Sequence, residues 1–426
     1  VFYIDVDVSI NQYGFPFIPE FLSIVESSPV VFDIDNDSKA EMFFGDKSGR
    51  IYGVNSIGEH LPGFSFQLED PGANQIWGSP ASADLDGDGN PEIVFTSQNG
   101  HLYIINHLGE ILVDINTEQY LLASPIISNF DSDEMLEVAV PTFDPDGKLI
   151  IINDDGSYVS GFPLEIGDSF LRAGSSYDFN GNGIDDLVIA SSTDNSIYIV
   201  YDDASISQIF SADDKFMVSP SVLVLDGTPY IFVGNDNGFF YCLDQSGNLV
   251  HSIDTGAKVR SSVGFMNINE SLGIVFGNSN GDVYILDVSG NSIQDPINIG
   301  GSIHTLSPVF FDVNGDGVDE IVIGSINGNL DVLYLDGTSH NYFPLNPYTG
   351  VTGSASISDI DNDGDIEILV GTNNSFSIID LKGYSADKSN WNTYKGNYQR
   401  TGVYSHESSE SVSGDLNGDG IVNVLD

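Results

Sequence analysis

One unit of 43 to 51 residues recurs eight times in the first 404 residues of the 426-residue chain, and this repetition limits the possible folds more than any other feature. Each copy centres on a short cluster of Asp, Asn and Gly. Successive clusters begin 51, 45, 49, 46, 43, 45 and 47 residues apart, at Asp33, Asp84, Asn129, Asp178, Val224, Asn267, Asp312 and Asp359. Self-similarity at such a period indicates an array of small structural units that bury a core only by packing on their neighbours.

Short apolar runs follow each cluster, as in Glu92-Ile93-Val94-Phe95, then a Gly or Asn turn, then Leu102-Tyr103-Ile104-Ile105. Runs rich in β-branched and aromatic residues favour strands, and continuous apolarity indicates sheets covered on both faces. A weaker outer strand begins near Gly161-Phe162-Pro163. The repeat length and these strands predict an all-β fold, a β-propeller of eight blades. Seven blades and one distorted repeat remain the alternative.

The N-terminal residues precede the first complete repeat. Val1 to Ile4 is typical of a third strand and Gly14-Phe15-Pro16 of the start of a fourth. We therefore expect this segment to pair with the last blade and close the ring, which removes an open sheet edge.

Six of the clusters place oxygen-bearing side chains at relative positions 1, 3, 5 and 9. The acid at position 9 leads directly into the next strand. The candidate metal ligands are Asp33, Asp35, Asp37 and Glu41; Asp84, Asp86, Asp88 and Glu92; Asn129, Asp131, Asp133 and Glu137; Asp178, Asn180, Asn182 and Asp186; Asp312, Asn314, Asp316 and Glu320; Asp359, Asp361, Asp363 and Glu367.

Carboxylates held this closely repel each other, and a bound cation removes the repulsion. Oxygen-only ligands in a flexible loop suit Ca²⁺ better than Mg²⁺, and no Cys or His ligand set is present for zinc or copper. We expect about six calcium ions in the propeller. Two alternatives stay open: the clusters are only Asp-Gly hairpin turns, and the excess of 63 acidic over 12 basic residues is a solvated surface. The formal charge of −51 opposes nucleic-acid binding.

The six clusters in series resemble FG-GAP or VCBS-type repeats, found in the head of integrin α subunits and in bacterial secreted proteins. The resemblance covers residues 1–404 and implies structural calcium on the face away from the ligand site. The units at Val224 and Asn267 are two residues shorter and lack the ligand set, so we assign them no metal.

The C-terminal region carries two further resemblances. Trp391, Tyr394 and Thr401-Gly402 resemble a closing signature of bacterial propellers, whose aromatic residues we expect to pack on the last blade. Residues 405–413 are typical of a polar linker. Residues 414–426 resemble the first calcium loop of a type I dockerin, which implies a cohesin partner for the complete module and an extracellular setting. Its implied calcium ligands are Asp415, Asn417, Asp419, Asn423 and Asp426.

The function expected from these features is that of a secreted binding or adhesion module for a glycan or a protein at the cell surface. The chain has a single cysteine and no apolar stretch long enough to span a membrane. Residues that enter the inner strands are expected to form the ligand face: Trp77, Tyr120, Arg172, Arg260 and His304. The alternative is a carbohydrate-active enzyme of the polysaccharide lyase type, because similar eight-bladed calcium propellers include such lyases. The scattered histidines form no catalytic motif, and the sequence leaves this choice open.

Overall fold

The structure is a computed structural model that describes residues 10–68, 74–133, 135–143, 147–167, 169–170, 172–269, 271–326, 328–346, 350–382 and 391–406. Within these ranges the fold is all-β, with one 3-10 turn at Glu20–Leu22 as its only helical element. The strands form eight separate sheets arranged as the blades of a β-propeller. The eight-bladed prediction is confirmed, and the seven-bladed alternative is wrong.

The strands of the first four blades are β1 Val30–Phe32, β2 Glu41–Gly45, β3 Arg50–Val54 and β4 Phe66–Gln67; β5 Ala81–Ala83, β6 Glu92–Thr96, β7 His101–Ile105 and β8 Ile111–Asn116; β9 Ile126–Ser128, β10 Glu137–Pro141, β11 Lys148–Ile152 and β12 Leu164–Glu165; β13 Ser175–Tyr177, β14 Asp186–Ala190, β15 Ser196–Val200 and β16 Ile206–Ser211.

The strands of the last four blades are β17 Ser221–Leu225, β18 Thr228–Gly234, β19 Phe239–Asp244 and β20 Leu249–Asp254; β21 Gly264–Ile268, β22 Ser271–Gly277, β23 Asp282–Leu286 and β24 Ser292–Asn298; β25 Val309–Phe311, β26 Glu320–Gly324 and β27 Leu330–Leu333; β28 Ser356–Ser358, β29 Ile366–Gly371 and β30 Phe376–Leu381. A last strand, β31 Val403–His406, follows.

Each blade is an antiparallel meander whose first strand is innermost, and every residue of the second strand β2 is buried. Neighbouring blades cover both faces of such a strand. For example, Phe44 of blade 1 stacks on Phe376 of blade 8, with ring centroids 4.2 Å apart. Phe240 of blade 5 stacks on Phe276 of blade 6 at 3.9 Å. This packing explains why the strand sequences are apolar throughout.

The N-terminal segment closes the ring at blade 8. Phe17 bridges to Phe376, and its amide donates to the carbonyl of Phe376 at 2.8 Å. Asn11 bridges to Ile379 on the same strand, β30. The segment thus takes the outer position of a blade whose own strands number three in the described part of the chain, as expected. Val1 to Ile4 lie outside the described residues.

Residues 391–402, which we call the plug, fill the central channel. Amides from the innermost strands of six blades donate to plug carbonyls at 2.9–3.0 Å: Ser82 to Tyr398, Ile127 to Gln399, Ser176 to Thr401, Val222 to Gly402, Phe310 to Trp391 and Ile357 to Asn392. The plug therefore supplies the partners that the inward edges of these strands would otherwise lack.

The plug corrects the expectation that Trp391 and Tyr394 pack on the last blade. The Trp391 ring instead lies edge-on to Phe265 of blade 6, with centroids 5.0 Å apart. The Tyr394 hydroxyl lies 3.2 Å from Ser219 Oγ of blade 5. A segment on the axis faces all blades, so its side chains need not favour the blade next to it in sequence.

Beyond the plug, β31 runs parallel to β17 as the fifth strand of the blade 5 sheet. It includes Ser405 and His406, so strand structure continues two residues past the expected end of the propeller at 404. The rest of the polar linker and the dockerin-like loop at 414–426 lie outside the described residues. No helix among the described residues has the length and apolarity needed to cross a membrane.

Candidate metal centres and the channel mouth

In each of the six acidic loops the hairpin fixes the carboxylate at position 9. The cross-strand partner of this residue is always the residue just before position 1, as in the pairs Phe32 with Glu41 and Ala83 with Glu92. All six of these acidic residues are only 1% exposed. Each accepts a hydrogen bond from the amide at position 2, with donor–acceptor distances of 2.6–3.0 Å: Glu41 from Ile34, Glu92 from Leu85, Glu137 from Phe130, Asp186 from Phe179, Glu320 from Val313, Glu367 from Ile360.

The loop backbone then wraps around the side chain at position 1. In five loops the amide at position 6 donates to the position 1 carboxylate at 2.8–3.1 Å, and in the third loop position 6 is not described. Position 6 has a left-handed backbone, with φ of 91° at Gly89 and 72° at Ser38. Glycine adopts this conformation without strain, which explains why four of these five loops carry Gly there.

The remaining carboxylate oxygens converge. In four loops, three carboxylate oxygens lie within 4.8 Å of one another. The converging groups are Asp33, Asp35 and Asp37; Asp84, Asp86 and Glu92; Asp131, Asp133 and Glu137; Asp359, Asp361 and Glu367. This is the separation at which oxygen atoms can ligate one cation.

The loops of blades 4 and 7 have asparagine in place of some acids. Asn180 and Asn182 each donate from Nδ2 to Asp202 Oδ1 at 3.0 Å. The Oδ1 atoms of the two side chains accept the loop amides of Asn182 and Ile184, at 3.0 and 2.8 Å, so their nitrogens are the atoms that face Asp202. Asp202 is a candidate ligand that the sequence analysis missed, since it lies 24 residues beyond Asp178 and outside the repeated spacing.

Burial makes the charged form of the acids at position 9 unfavourable. Desolvation, together with the neighbouring aspartates, raises the pKa of Glu41, Glu137 and Glu320 to about 7 and that of Glu367 to about 8. Three buried oxygens, Oδ1 of Asn129, Asp359 and Asp361, have no hydrogen-bond partner among the described residues. Buried acceptors of this kind normally have a donor or a cation as partner. The donor set, which consists only of oxygens, fits a hard divalent cation.

The shorter units of blades 5 and 6 have no such loop in the part of the chain that the structure describes. A two-residue turn, Asp226-Gly227, joins β17 to β18, with φ of 48° and 76°. In blade 6, the Asn267 amide donates to Asp319 Oδ2 of blade 7 at 2.8 Å, and the Asp319 amide donates back to the Asn267 carbonyl at 2.9 Å. This position therefore takes part in contacts between blades.

The expected ligand residues lie at the other end of the inner strands, around the channel mouth. Trp77, Arg172 and Arg260 line the mouth. His304 lies beside them, with Nε2 accepting from Arg260 Nη1 at 3.0 Å. Tyr120 is half exposed and is not part of the lining. The structure thus brings four of the five residues together.

The cations around the mouth differ in their partners. Arg260 pairs with Asp236 through Nε and Nη2, at 2.5 Å each, and Lys258 Nζ lies 3.0 Å from the same carboxylate. Lys47 lies 3.5 Å from the ring centroid of Trp77 and forms an ion pair with Glu26. Lys258 and Lys47 thus lie at the mouth together with the residues that the sequence places on the ligand face.

Comparison with known proteins agrees with this architecture. Residues 312–370, which contain the acidic loop of blade 7 and reach into blade 8, match the FG-GAP-like repeat family. A search of curated proteins found no significant match.

Solved structures of similar fold include the V. cholerae biofilm matrix protein Bap1, with a TM-score of 0.67 at 13% identity over 90% of this chain and 93% of that one. Saccharomyces cerevisiae Sqt1 gives a TM-score of 0.63 at 13% identity, over 89% and 100%. Quinohemoprotein alcohol dehydrogenase from Comamonas testosteroni gives 0.58 at 11% identity, over 86% and 76%. These likenesses concern the fold, which a matrix protein and an enzyme share.

Proposed function

We propose that this chain is a calcium-stabilised extracellular binding module that presents its channel mouth to a glycan or protein ligand. One observation carries the proposal. Six acids are buried at equivalent places in six repeats, next to further carboxylates. A charged carboxylate buried beside other carboxylates destabilises the fold unless a cation is bound. Its occurrence in six repeats therefore favours a resident cation in these loops.

Calcium is the cation that the loops suit best. Its coordination by six to eight oxygens at 2.3–2.6 Å tolerates irregular loops, whereas Mg²⁺ requires a nearly octahedral set. Side chains at positions 1, 3, 5 and 9 would hold the ion, and the carbonyl at position 7 would complete the set. The ion would supply the positive charge that the buried acids lack. The dockerin-like ligands from Asp415 to Asp426 would form one further site in the C-terminal loop.

An extracellular location follows from the calcium proposal, because loops of this type are occupied by calcium where the ion is abundant, as it is outside cells. The dockerin-like resemblance and the fold shared with a biofilm matrix protein support the same location. A complete dockerin would add a cohesin-type partner.

The channel mouth is the proposed binding face. It lies opposite the acidic loops, so that calcium binding and ligand binding occupy separate ends of the inner strands. Its cluster of cations contrasts with a formal chain charge of −51.

The second candidate is a polysaccharide lyase. Its support is the pairing of arginines with a histidine at the mouth, since a lyase needs a cation for the uronate carboxylate and a base. Burial and the nearby Arg260 and Arg172 lower the pKa of His304, which keeps the imidazole neutral. However, Arg260 already occupies Nε2 of this ring. We therefore place binding before catalysis.

An array of polysaccharides and matrix proteins, probed in calcium and in EGTA, tests the proposal. We expect binding to at least one array component in calcium and much weaker binding in EGTA. Incubation with pectic and algal polysaccharides should produce no absorbance of unsaturated uronates. Lyase product without retained binding would contradict the proposal, as would the absence of any ligand on the array.

A further inference from the structure

The channel mouth forms a pocket to which all eight blades contribute. The plug closes its floor with Tyr394. The space within it that a water-sized group can enter is only about 30 Å³, and the pocket is open to solvent. It therefore takes in one small polar group, such as a carboxylate, while the rest of the ligand stays in the open mouth.

Arg172 is the cation in this pocket whose charge no described anion neutralises. No hydrogen bond or ion pair joins it to another described residue, and its Nε is buried without an acceptor. Arg260, by contrast, is fully engaged with Asp236 and His304. A guanidinium with unused donors in a protected position recognises a planar oxyanion, above all a carboxylate, through paired hydrogen bonds.

The balance of charge around the pocket favours the same class of ligand. Four cationic side chains, Lys47, Arg172, Lys258 and Arg260, surround it. The acids paired with them are Glu26 and Asp236. Among these six groups the cations outnumber the acids, although the whole chain is strongly negative. Trp77 Nε1 is a second buried donor in the lining that has no acceptor among the described residues.

Serine hydroxyls supply the remaining recognition groups. Ser79 Oγ accepts from the Ser28 amide at 2.9 Å, and Ser124 Oγ accepts from the Ser79 amide at 2.8 Å. Ser354 Oγ accepts in the same way from the Ser307 amide at 2.8 Å. Each hydroxyl is fixed by accepting one bond and keeps its own hydrogen for another acceptor. The repeat thus places oriented hydroxyl groups around Arg172.

We infer that the pocket binds the carboxylate of an acidic sugar, with Arg172 holding the carboxylate and the serines contacting the sugar hydroxyls. This inference rests on the proposed binding function and names its ligand class. An acidic peptide would offer the same carboxylate, but a hydroxyl-rich lining complements a polyhydroxyl ligand better than it complements an extended main chain.

Titration calorimetry in saturating calcium tests the inference with three probes: trigalacturonate, its neutral analogue galactotriose, and triglutamate. Trigalacturonate should bind at least tenfold more tightly than either of the others. Arg172→Ala should weaken it at least tenfold, and Arg172→Lys should recover part of that loss. Arg50→Ala is the matched control, because Arg50 pairs with Glu20 and does not line the pocket. It should change affinity by less than twofold.

Trp77 provides a second readout that needs no arginine variant. The chain has two tryptophans, and Trp391 is buried in the plug. Trigalacturonate should change the fluorescence of the wild-type protein, and Trp77→Phe should abolish the change. Unchanged affinity in Arg172→Ala, equal binding of galactotriose, tighter binding of triglutamate, or unchanged fluorescence would each overturn the inference. If an array ligand binds Arg172→Ala as tightly as wild type, the inference fails while the proposed binding function stands.

Discussion

At the scale of the residue, the acid at position 9 is the most constrained member of each loop. It is buried, it starts a core strand, and it accepts an amide hydrogen bond that holds it in place. Two unit charges 4 Å apart repel by about 4 kcal/mol at an effective dielectric constant of 20. Several carboxylates beside this residue therefore favour a bound cation. Under the calcium proposal, the effect of a loop mutation on stability depends on whether calcium is present.

The Asp86→Ala variant tests how the stability of a loop depends on calcium. In calcium the variant should lose one bound ion and about 2–3 kcal/mol of unfolding free energy, the stabilisation from one site at a hundredfold excess over Kd. In EGTA it should be at least as stable as wild type, because one repelling carboxylate is gone. Chemical unfolding in both buffers measures the difference. Asp155→Ala, in an exposed turn that is not one of the six loops, is the control. A variant less stable than wild type by the same amount in both buffers would contradict the metal assignment.

Lys395 makes a separate prediction about pH. Burial lowers the pKa of Lys395 from 10.5 to about 7. Its side-chain nitrogen donates to Ser175 Oγ at 2.7 Å and to the Pro220 carbonyl at 2.5 Å. Between pH 7 and 10.5 the unfolded chain binds this proton more tightly than the folded protein. Stability from this residue should therefore rise with pH across that window.

The measurement is urea unfolding of wild type and Lys395→Met at pH 7, 8.5 and 10 with calcium saturating. The free energy of unfolding of wild type, relative to that of the variant, should increase with pH by a total on the order of a few kcal/mol. A difference that stays constant over this range would show that the lysine is not destabilised by burial.

At the scale of the element, the plug connects the blades to one another. It accepts amide hydrogen bonds from the inner strands of six blades, whereas each contact between neighbouring blades joins only two of them. Arg400 reinforces this role from a fully buried position. It donates to the carbonyls of Pro80, Ser28 and Pro29, at 2.9, 3.2 and 2.9 Å.

Arg400→Met should therefore destabilise the propeller by about 3–5 kcal/mol, because several buried carbonyls lose their donor together. Arg50→Met, which removes a partly buried arginine that pairs with Glu20 outside the plug, should cost less, about 1–2 kcal/mol. Guanidinium unfolding in calcium compares the two variants. If their losses are equal, the plug does not stabilise the ring in the way described.

At the scale of the whole molecule, the sequence predicts the repeated features and misses the unique ones. The blade count, the strand pattern and N-terminal closure follow from a period visible in eight copies. The plug has no such signal: it is polar, has no strand periodicity, and obtains its partners from distant residues, as in the bond from Arg400 to Pro80, 320 positions away. Asp202 and Lys47 lie near their sites only in the folded chain, so the spacing of the sequence repeats could not predict their roles.

The N-terminal segment, the plug and the acidic loops stabilise the ring in different ways. The N-terminal segment completes blade 8, the plug holds the inner strands, and the proposed calcium ions compensate the buried acids between first and second strands. Six sites would together contribute up to about 16 kcal/mol at a hundredfold excess of calcium over Kd. Calcium should then be the largest single influence on the stability of the folded chain.

Calorimetric unfolding in millimolar calcium, in the same concentration of magnesium, and in EGTA measures this influence. We expect calcium to raise the unfolding temperature by at least about 10 °C over EGTA, and magnesium to give a much smaller increase. The same unfolding temperature in calcium and in EGTA would contradict a calcium-stabilised propeller.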